Sequence, residues 1–276
     1  MGVVRVAAIQ MTSGADVVAN EAAIFRLVEA ASDEGARYIQ LPEYATYWGP
    51  RSGYRDAAKT LDDGFIKQLR LLAKGRAVAI HLGSMLEPAP EGRFFNTSVV
   101  LGPDGEVAAT YRKVHLFDAQ PPGGVTYFES EAITAGSEMK MVTVDDMKLG
   151  LSICFDVRFA ELYRALALAG AEVFAVPAAF SAQTGPAHWE TLLRARAIEN
   201  HVYVVAAAQA GVTTEGFATH GHSMVVDPWG VVIAVSTAED EDVVIADIDL
   251  AEVASRRSQI EVLRLRRPDV YRRDVE

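Results

Sequence analysis

The chain has 276 residues, half of them hydrophobic and 23% charged, so it can bury a domain-sized core without disulfide or metal staples. A formal net charge of −11 argues against a nucleic-acid partner, because affinity for phosphates rests on basic surface. The lone cysteine, Cys154, excludes an internal disulfide and any multi-cysteine metal cage. The opening residues 1–10 lack the basic start and unbroken apolar stretch of a secretory signal. No run offers the roughly 18 apolar residues of a membrane-spanning helix. A cytoplasmic protein with no membrane partner is the expectation.

Short apolar, β-branched runs alternate with segments of helical period. Residues 3–10 (VVRVAAIQ) read as a buried strand, and a helix follows from about Asp16, a possible N-cap, to Asp33, with Gly35 as the stop. Tyr38, Ile39 and Leu41 form a second strand ending at Pro42–Glu43, and a helix from about Leu61 to Lys74 leads to a third strand, 78–85. Residues 94–113 read as a hairpin turning at Pro103–Asp104–Gly105, and 120–130 (QPPGGVTYFES) as an irregular surface loop. Then come a strand at 148–154, a helix around Ala160–Ala169, a strand at 172–178 and a helix around His188–Asn200. A strand at 202–209, a hairpin turning at Asp227–Gly230 and a strand at 243–250 complete the pattern before a charged tail from about 251 to 276. No linker, repeat or low-complexity tract interrupts it, so residues 1–276 read as one α/β domain. About ten strands are too many for one sheet with five or so helices. Two sheets packed face to face, with helices on both outer sides, would bury them all.

Three reactive side-chain types stand at the C-terminal ends of expected strands. Cys154 ends one strand and precedes a helix, a turn that can expose a nucleophile and offer backbone N–H groups to an oxyanion. On position alone it could equally be a buried, inert cysteine. Glu43 is held by the preceding Pro42, although a helix cap or a surface charge would also suit that place. Lys113 closes the strand beginning at 107, where lysines are usually solvated. Ligands gather at strand C-terminal ends in open α/β sheets. Together the three make coherent chemistry: Glu43 takes the thiol proton, and Lys113 with the N–H after Cys154 stabilises a tetrahedral oxyanion.

The segments 41–44 (LPEY), 111–118 (YRKVHLFD) and 150–164 (GLSICFDVRFAELYR) resemble, in order, the three signature regions of the nitrilase superfamily of carbon–nitrogen hydrolases. The resemblance extends through 185–209 and 221–230 and so covers nearly the whole chain. It implies a four-layer α-β-β-α sandwich and a Glu43–Lys113–Cys154 triad with no cofactor. It also implies a second glutamate between the lysine and the cysteine, at Glu129, orienting Lys113 or the attacking water. Residues 185–230 and the tail 264–271 (RLRRPDVY) look most like the branches that hydrolyse deaminated glutathione and the ω-amides of α-keto acids. The reaction implied is thiol-dependent hydrolysis of a small carboxylate-bearing amide through a thioester, with release of ammonia. Phe155, Arg158 and His188 are the substrate-binding candidates; Arg158 could hold the carboxylate or could instead form a salt bridge to the next helix. Arg51 and Arg112 are further candidates for that carboxylate. The loops at 47–50 and 121–124 depart from those branches. Members of this kind pair through the helices after the nucleophile strand, so a homo-oligomer is expected, with the tail from about 251 in its contacts.

Other readings stay open at this stage: a nitrilase, an N-carbamoyl hydrolase or another amidase on the same triad, or a non-catalytic binding or scaffold protein. His220 and His222 would share a face if they lay in a strand, yet no carboxylate or cysteine accompanies them at ligand spacing, so no metal site is expected. The glycines of 102–105 and 123–125 are turn glycines with no phosphate-cradling motif after them.

Overall fold

β1 (Val3–Gln10) is the apolar run at the start of the chain, and the computed structural model, which describes residues 2–120, 126–213 and 216–271, places it inside a large sheet. α1 (Val17–Asp33) starts where the Asp16 carboxylate accepts from the Ala19 N–H at 3.1 Å. It stops before Gly35, which turns the chain at φ +83°. The following elements are β2 (Tyr38–Gln40), α2 (Tyr54–Ala57), α3 (Gly64–Arg76), β3 (Ala79–His81), β4 (Met85–Pro88), β5 (Phe94–Leu101) and β6 (Val107–Arg112). A small ribbon, β7 (Asp118–Ala119) with β8 (Tyr127–Phe128), precedes β9 (Lys140–Val144) and β10 (Met147–Leu151). Then come α4 (Ala160–Leu168), β11 (Val173–Ala175), α5 (Gly185–Asn200), β12 (Tyr203–Ala206), β13 (Ala210–Val212) and β14 (Ala218–His220). β15 (Met224–Val226), β16 (Val232–Val235), β17 (Asp242–Asp249), α6 (Leu250–Gln259) and α7 (Pro268–Tyr271) complete the described chain.

The first sheet runs β17-β1-β2-β3-β5-β4, with β6 also on β5; the second runs β16-β15-β12-β11-β10-β9. β1, β2 and β3 are parallel, as are β10, β11 and β12. Alternation along β1 explains the layers. Ala7 and Ile9 join the core made with Ile24, Leu27 and Val28 of α1 and Phe65, Ile66 and Leu69 of α3. Val4, Val6 and Ala8 point the other way and join the core shared with Val173 and Ala175 of the second sheet. On that sheet's far side Phe174 meets Tyr163 of α4 edge to face at 4.9 Å. The result is the expected four-layer α-β-β-α sandwich.

Several expectations need correction. The strand expected over 78–85 is two strands, broken at Gly83, whose φ is +74°. A Cβ there would lie 2.1 Å from the Pro42 carbonyl oxygen, so the glycine makes room for the segment that carries Glu43. The expected strand to Cys154 stops at Leu151, and β9 beside it was not foreseen. The loop expected on the surface over 120–130 includes β8 and a buried Glu129; residues 121–125 lie outside the described residues. α5 starts at Gly185, not His188, and the charged tail opens with α6, which buries Leu250 and Val253. Residues 272–276 of that tail also lie outside the described residues. Among the described residues no helix is long and apolar enough to cross a membrane.

Candidate active site

Gln209 and Met11 lock the two sheets together beside the site. The Ala210 N–H donates to the Met11 carbonyl at 2.7 Å, and the buried Gln209 amide donates to the Glu43 carbonyl at 3.0 Å and to Ser13 Oγ at 2.8 Å. Glu43 therefore has a fixed backbone three residues past β2. The Tyr44 N–H donates to Ser84 Oγ at 2.9 Å, which secures the next residue.

Lys113 follows β6 directly and keeps the ladder through its own N–H, which donates to the Asn96 carbonyl at 2.9 Å. Its buried Nζ donates to Glu43 Oε1 and to Glu129 Oε2, both at 2.8 Å. An ammonium has three N–H donors, so one remains for the cavity. Burial alone would pull this ammonium down, but the Glu129 and Glu43 carboxylates hold it well above its ordinary value. Glu129 is equally well satisfied. Its Oε1 accepts from Tyr44 Oη at 2.8 Å and Asn96 Nδ2 at 3.1 Å, and its Oε2 also accepts from the Phe117 N–H at 2.7 Å. Burial pushes this carboxyl up, and Lys113 with the N–H donors more than reverses the effect, leaving it below its ordinary value. Asn96 Nδ2 also donates to Glu43 Oε1 at 2.9 Å, so one amide spans both glutamates.

Cys154 arrives from the second sheet. It sits at φ +46° at the start of a 3-10 turn, Cys154–Arg158, with its N–H donating to the Pro177 carbonyl at 2.8 Å. A left-handed residue that is not glycine is costly and needs support from its surroundings. The buried Asp156 supplies it. Its Oδ2 accepts from the Ile153 N–H and from Tyr111 Oη, both at 2.8 Å. Its Oδ1 accepts from the His115 N–H at 3.0 Å and lies 2.7 Å from His115 Nδ1. Cys154 and Glu43 line the same cavity, and the Ala179 N–H donates to Glu43 Oε2 at 2.9 Å. Burial pushes the thiol well above its ordinary value and the Glu43 carboxylate adds to this, while Lys113 and the Ala179 N–H act in the opposite direction. At rest the sulfur is a thiol beside a base, with an ammonium in reach.

Glu43, Lys113, Glu129 and Cys154 thus come together, as expected from the sequence. They open on a cavity of 450 Å³ walled mainly by Tyr47, Trp48, Tyr54, Phe117, Tyr127 and Phe217. A smaller cleft of 20 Å³ meets Cys154 from another side, between Phe155, Arg158 and Phe180. The half-buried Arg158 has no carboxylate partner among the described residues. It lies over the Phe180 ring at 5.2 Å, and its Nη1 is 3.2 Å from His188 Nδ1 on α5. The expected alternative, a salt bridge from Arg158 to the next helix, is replaced by this imidazole contact. Phe155 lines the smaller cleft and packs edge to face on Phe117 at 5.2 Å. His188 is exposed, lines neither cavity and reaches the site only through Arg158.

Two other arginines fare differently. Arg51 lines the large cavity but is paired with Glu131. Arg112 forms a fork with Glu87, at 2.9 and 2.7 Å, and lines neither cavity. His220 ends β14, and Gly221 and His222 then take positive φ, so the two imidazoles stack at 4.2 Å instead of sharing a strand face. Among the described residues no group of three or more His, Cys, Asp or Glu could hold a metal ion. Sequence reasoning overlooked Asn96, Tyr44, Asp156 and the Ala179 N–H. Asn96 had a signal, a lone amide in the apolar run 94–101, and Asp156 had another, a carboxylate two residues past the nucleophile candidate.

Comparison with known proteins shows the family. The sequence profile of the carbon–nitrogen hydrolase family matches residues 5–258. A deaminated glutathione amidase from Synechocystis sp. is 41% identical over 264 residues, 94% of this chain and 97% of that protein. Omega-amidase NIT2 from Bos taurus is 37% identical over 276 residues, 98% of each chain. The crystal structure of the C. elegans NitFhit protein has a TM-score of 0.92 and 41% identity; the match covers 98% of this chain and 66% of that longer one. The chain belongs to the carbon–nitrogen hydrolase family: it is a hydrolase of carbon–nitrogen bonds.

Proposed function

We propose that the protein is a thiol-dependent amidase acting on a small amide that bears a carboxylate. The observation that carries this reading is the Lys113 ammonium fixed between Glu43 and Glu129, in the same cavity wall as the Cys154 thiol. Glu43 takes the thiol proton as Cys154 attacks the amide carbon. The free Lys113 N–H and the Phe155 N–H stabilise the oxyanion, a contribution worth about 10²–10³ in rate per donor. Glu43 returns the proton to the leaving nitrogen, and a thioester remains on Cys154. Water activated by Glu43 then hydrolyses it. Glu129 keeps Lys113 in place and charged.

Arg158 is the residue we assign to the substrate carboxylate, because it is a partly buried guanidinium beside Cys154 without an anionic partner among the described residues. The names of the two curated relatives, a deaminated glutathione amidase and an omega-amidase, support this substrate class. The test compares kcat/KM for an α-keto acid monoamide, deaminated glutathione, a neutral aliphatic amide, an N-carbamoyl compound and a nitrile. A carboxylate-bearing amide should rank first, and Arg158→Lys should erode its lead because a point charge cannot reproduce the planar fork. First place for the neutral amide or the nitrile would refute the substrate class. Intact mass with a slow substrate should show an acyl adduct that Cys154→Ala abolishes.

We also propose a homodimer paired through α4 and α5, whose Leu168 and Ile198 side chains are exposed. A monomer by light scattering at micromolar concentration would overturn it.

A further inference from the structure

We propose that Arg93 is a positioning residue for the reaction: its guanidinium clamps the turn that carries Glu129 and so sets where Lys113 stands in the site. This rests on the amidase reading above, in which Glu129 keeps Lys113 in place.

The turn is short and needs donors from outside. Glu129 begins a single 3-10 turn, Glu129–Glu131, which closes as the Ala132 and Ile133 N–H groups donate to the Glu129 carbonyl at 3.1 and 2.9 Å. The last carbonyls of any helix lack partners within it, and a basic side chain nearby can supply them. Arg93 does so here. Its Nε donates to Thr134 Oγ1 at 2.9 Å, its Nη1 to the Glu131 carbonyl at 3.3 Å, and its Nη2 to the Ser130 and Ile133 carbonyls. Every one of these acceptors lies within residues 130–134. The Glu131 carboxylate is paired with Arg51 instead. A lysine could not serve all four acceptors, because an ammonium has three donors around one point and lacks the planar fork.

The neighbours of Arg93 along the chain act on the same turn. The Phe94 N–H donates to the Ala132 carbonyl at 3.1 Å, and the Thr134 N–H to the Phe94 carbonyl at 2.7 Å. Asn96, on the same strand, donates to Glu129 Oε1 at 3.1 Å. The start of β5 therefore holds Glu129 at both ends, its turn through Arg93 and its carboxylate through Asn96. The carboxylate can keep its 2.8 Å bond to Lys113 only if the main chain beneath it stays put.

Arg51 also grips this segment, through Glu131 and the Phe128 carbonyl, but it lines the large cavity and so can touch substrate. Arg93 lines neither cavity. Its influence on turnover has to pass through Glu129, which separates it from a residue that binds substrate.

The experiment uses the full-length protein and the amide it cleaves best, with rates counted per folded molecule. Arg93→Lys should lower kcat by about tenfold and leave KM within about twofold, a loss smaller than the roughly 10²-fold that an ångström of misplacement can cost. Thr134→Val, which removes one acceptor, is the milder variant should Arg93→Lys fold poorly. The Glu129→Gln background decides the route: there Arg93→Lys should cost no more than about twofold, because the two changes act on one bond. An unchanged kcat in both variants, or an equal loss with and without Glu129→Gln, overturns the inference and leaves the amidase reading standing. Amide hydrogen exchange at Ala132 and Ile133 reads the clamp without turnover, and protection there should fall in Arg93→Lys. A wild type that cleaves no amide sinks the amidase reading instead, and exchange then decides the clamp by itself: unchanged protection overturns it.

Discussion

Glu43, Asn96 and Lys113 reach the site from the first sheet, whereas Cys154 and the Ala179 N–H come from the second. The two sides are built on different principles. On the first, side-chain charges buried to within a few per cent satisfy one another: Lys113 bridges two carboxylates, and Asn96 closes the gap between them. On the second, backbone geometry does the positioning, with a left-handed residue braced by Asp156. Neither side is reactive alone. The first holds a base with nothing to activate, and the second a thiol that burial keeps protonated. Under the proposed mechanism the chemistry depends on the seam, where the Ala179 N–H and the Gln209 amide both hold Glu43.

Breaking the seam's proton transfer should have the largest effect. Cys154→Ala should lower kcat by at least about 10⁴-fold while leaving the fold intact, the scale expected for one member of a catalytic unit. Glu43→Gln keeps the shape and removes the base, for a loss of about 10²–10⁴-fold. Combining the two should cost little beyond Cys154→Ala; a double variant worse by the product of the singles would show that the residues act independently. Glu129→Gln removes one charge-assisted bond to Lys113, worth about 1.5–3 kcal/mol, which is about 10–150-fold in kcat with a smaller change in KM. An unchanged kcat would leave Glu129 a structural role only.

The second sheet's side is tested by Asp156→Asn. Whichever way the amide is turned, its NH₂ faces donors that the carboxylate satisfied. We expect about 1–3 kcal/mol of destabilisation, seen as a fall in Tm of about 2–4 °C per kcal/mol. The rate of Cys154 alkylation per folded molecule should fall with it. An unchanged rate would mean that Asp156 supports the fold but not the nucleophile.

A pH series separates the charged cluster from the rest of the first sheet. Burial holds the fully buried His81 imidazole at about 3, below its unfolded value of about 6.5. Its neutral form is thus favoured by folding. That contribution is complete above the unfolded value and is lost as pH falls toward 3, by up to about 1.4 kcal/mol per pH unit. Glu129, held low by Lys113, contributes in the same direction but at lower pH: its share is present above about 4.3 and disappears as pH falls through its folded value. Denaturant titrations between pH 7 and 4 should therefore report His81 together with the partly buried His220, which burial pulls down to about 4, and His81→Gln should make them shallower. An unaltered slope would refute that assignment.

Much of this was legible from residue patterns, for reasons that also explain the failures. Buried parallel strands such as β11 and β12 read as unbroken apolar runs because both faces are covered. β9 escaped because it is the edge of its sheet, and in 140–144 only Val144 is buried. α6 hid in a charged tail because only Leu250 and Val253 anchor it. In the site, reactive residue types at strand ends identified Glu43, Lys113 and Cys154. Asn96 and Asp156 act by holding other residues, and such roles depend on distances that spacing along the chain does not encode. Glu129 was placed by family resemblance; its burial under the ribbon contradicts the surface loop that its Pro/Gly-rich neighbours suggested.

The protonated state of the buried Cys154 also bears on chemical durability. Oxidants attack thiolates far more readily than thiols, and an exposed, low-pKa cysteine is the usual victim. Here Cys154 is buried, 8% exposed, and its sulfur is pushed toward the thiol form. The chain has no second cysteine to capture a sulfenic acid as a disulfide, so oxidation of this one could not be repaired from within. The burial that keeps the sulfur protonated thus also leaves little thiolate for peroxide to attack.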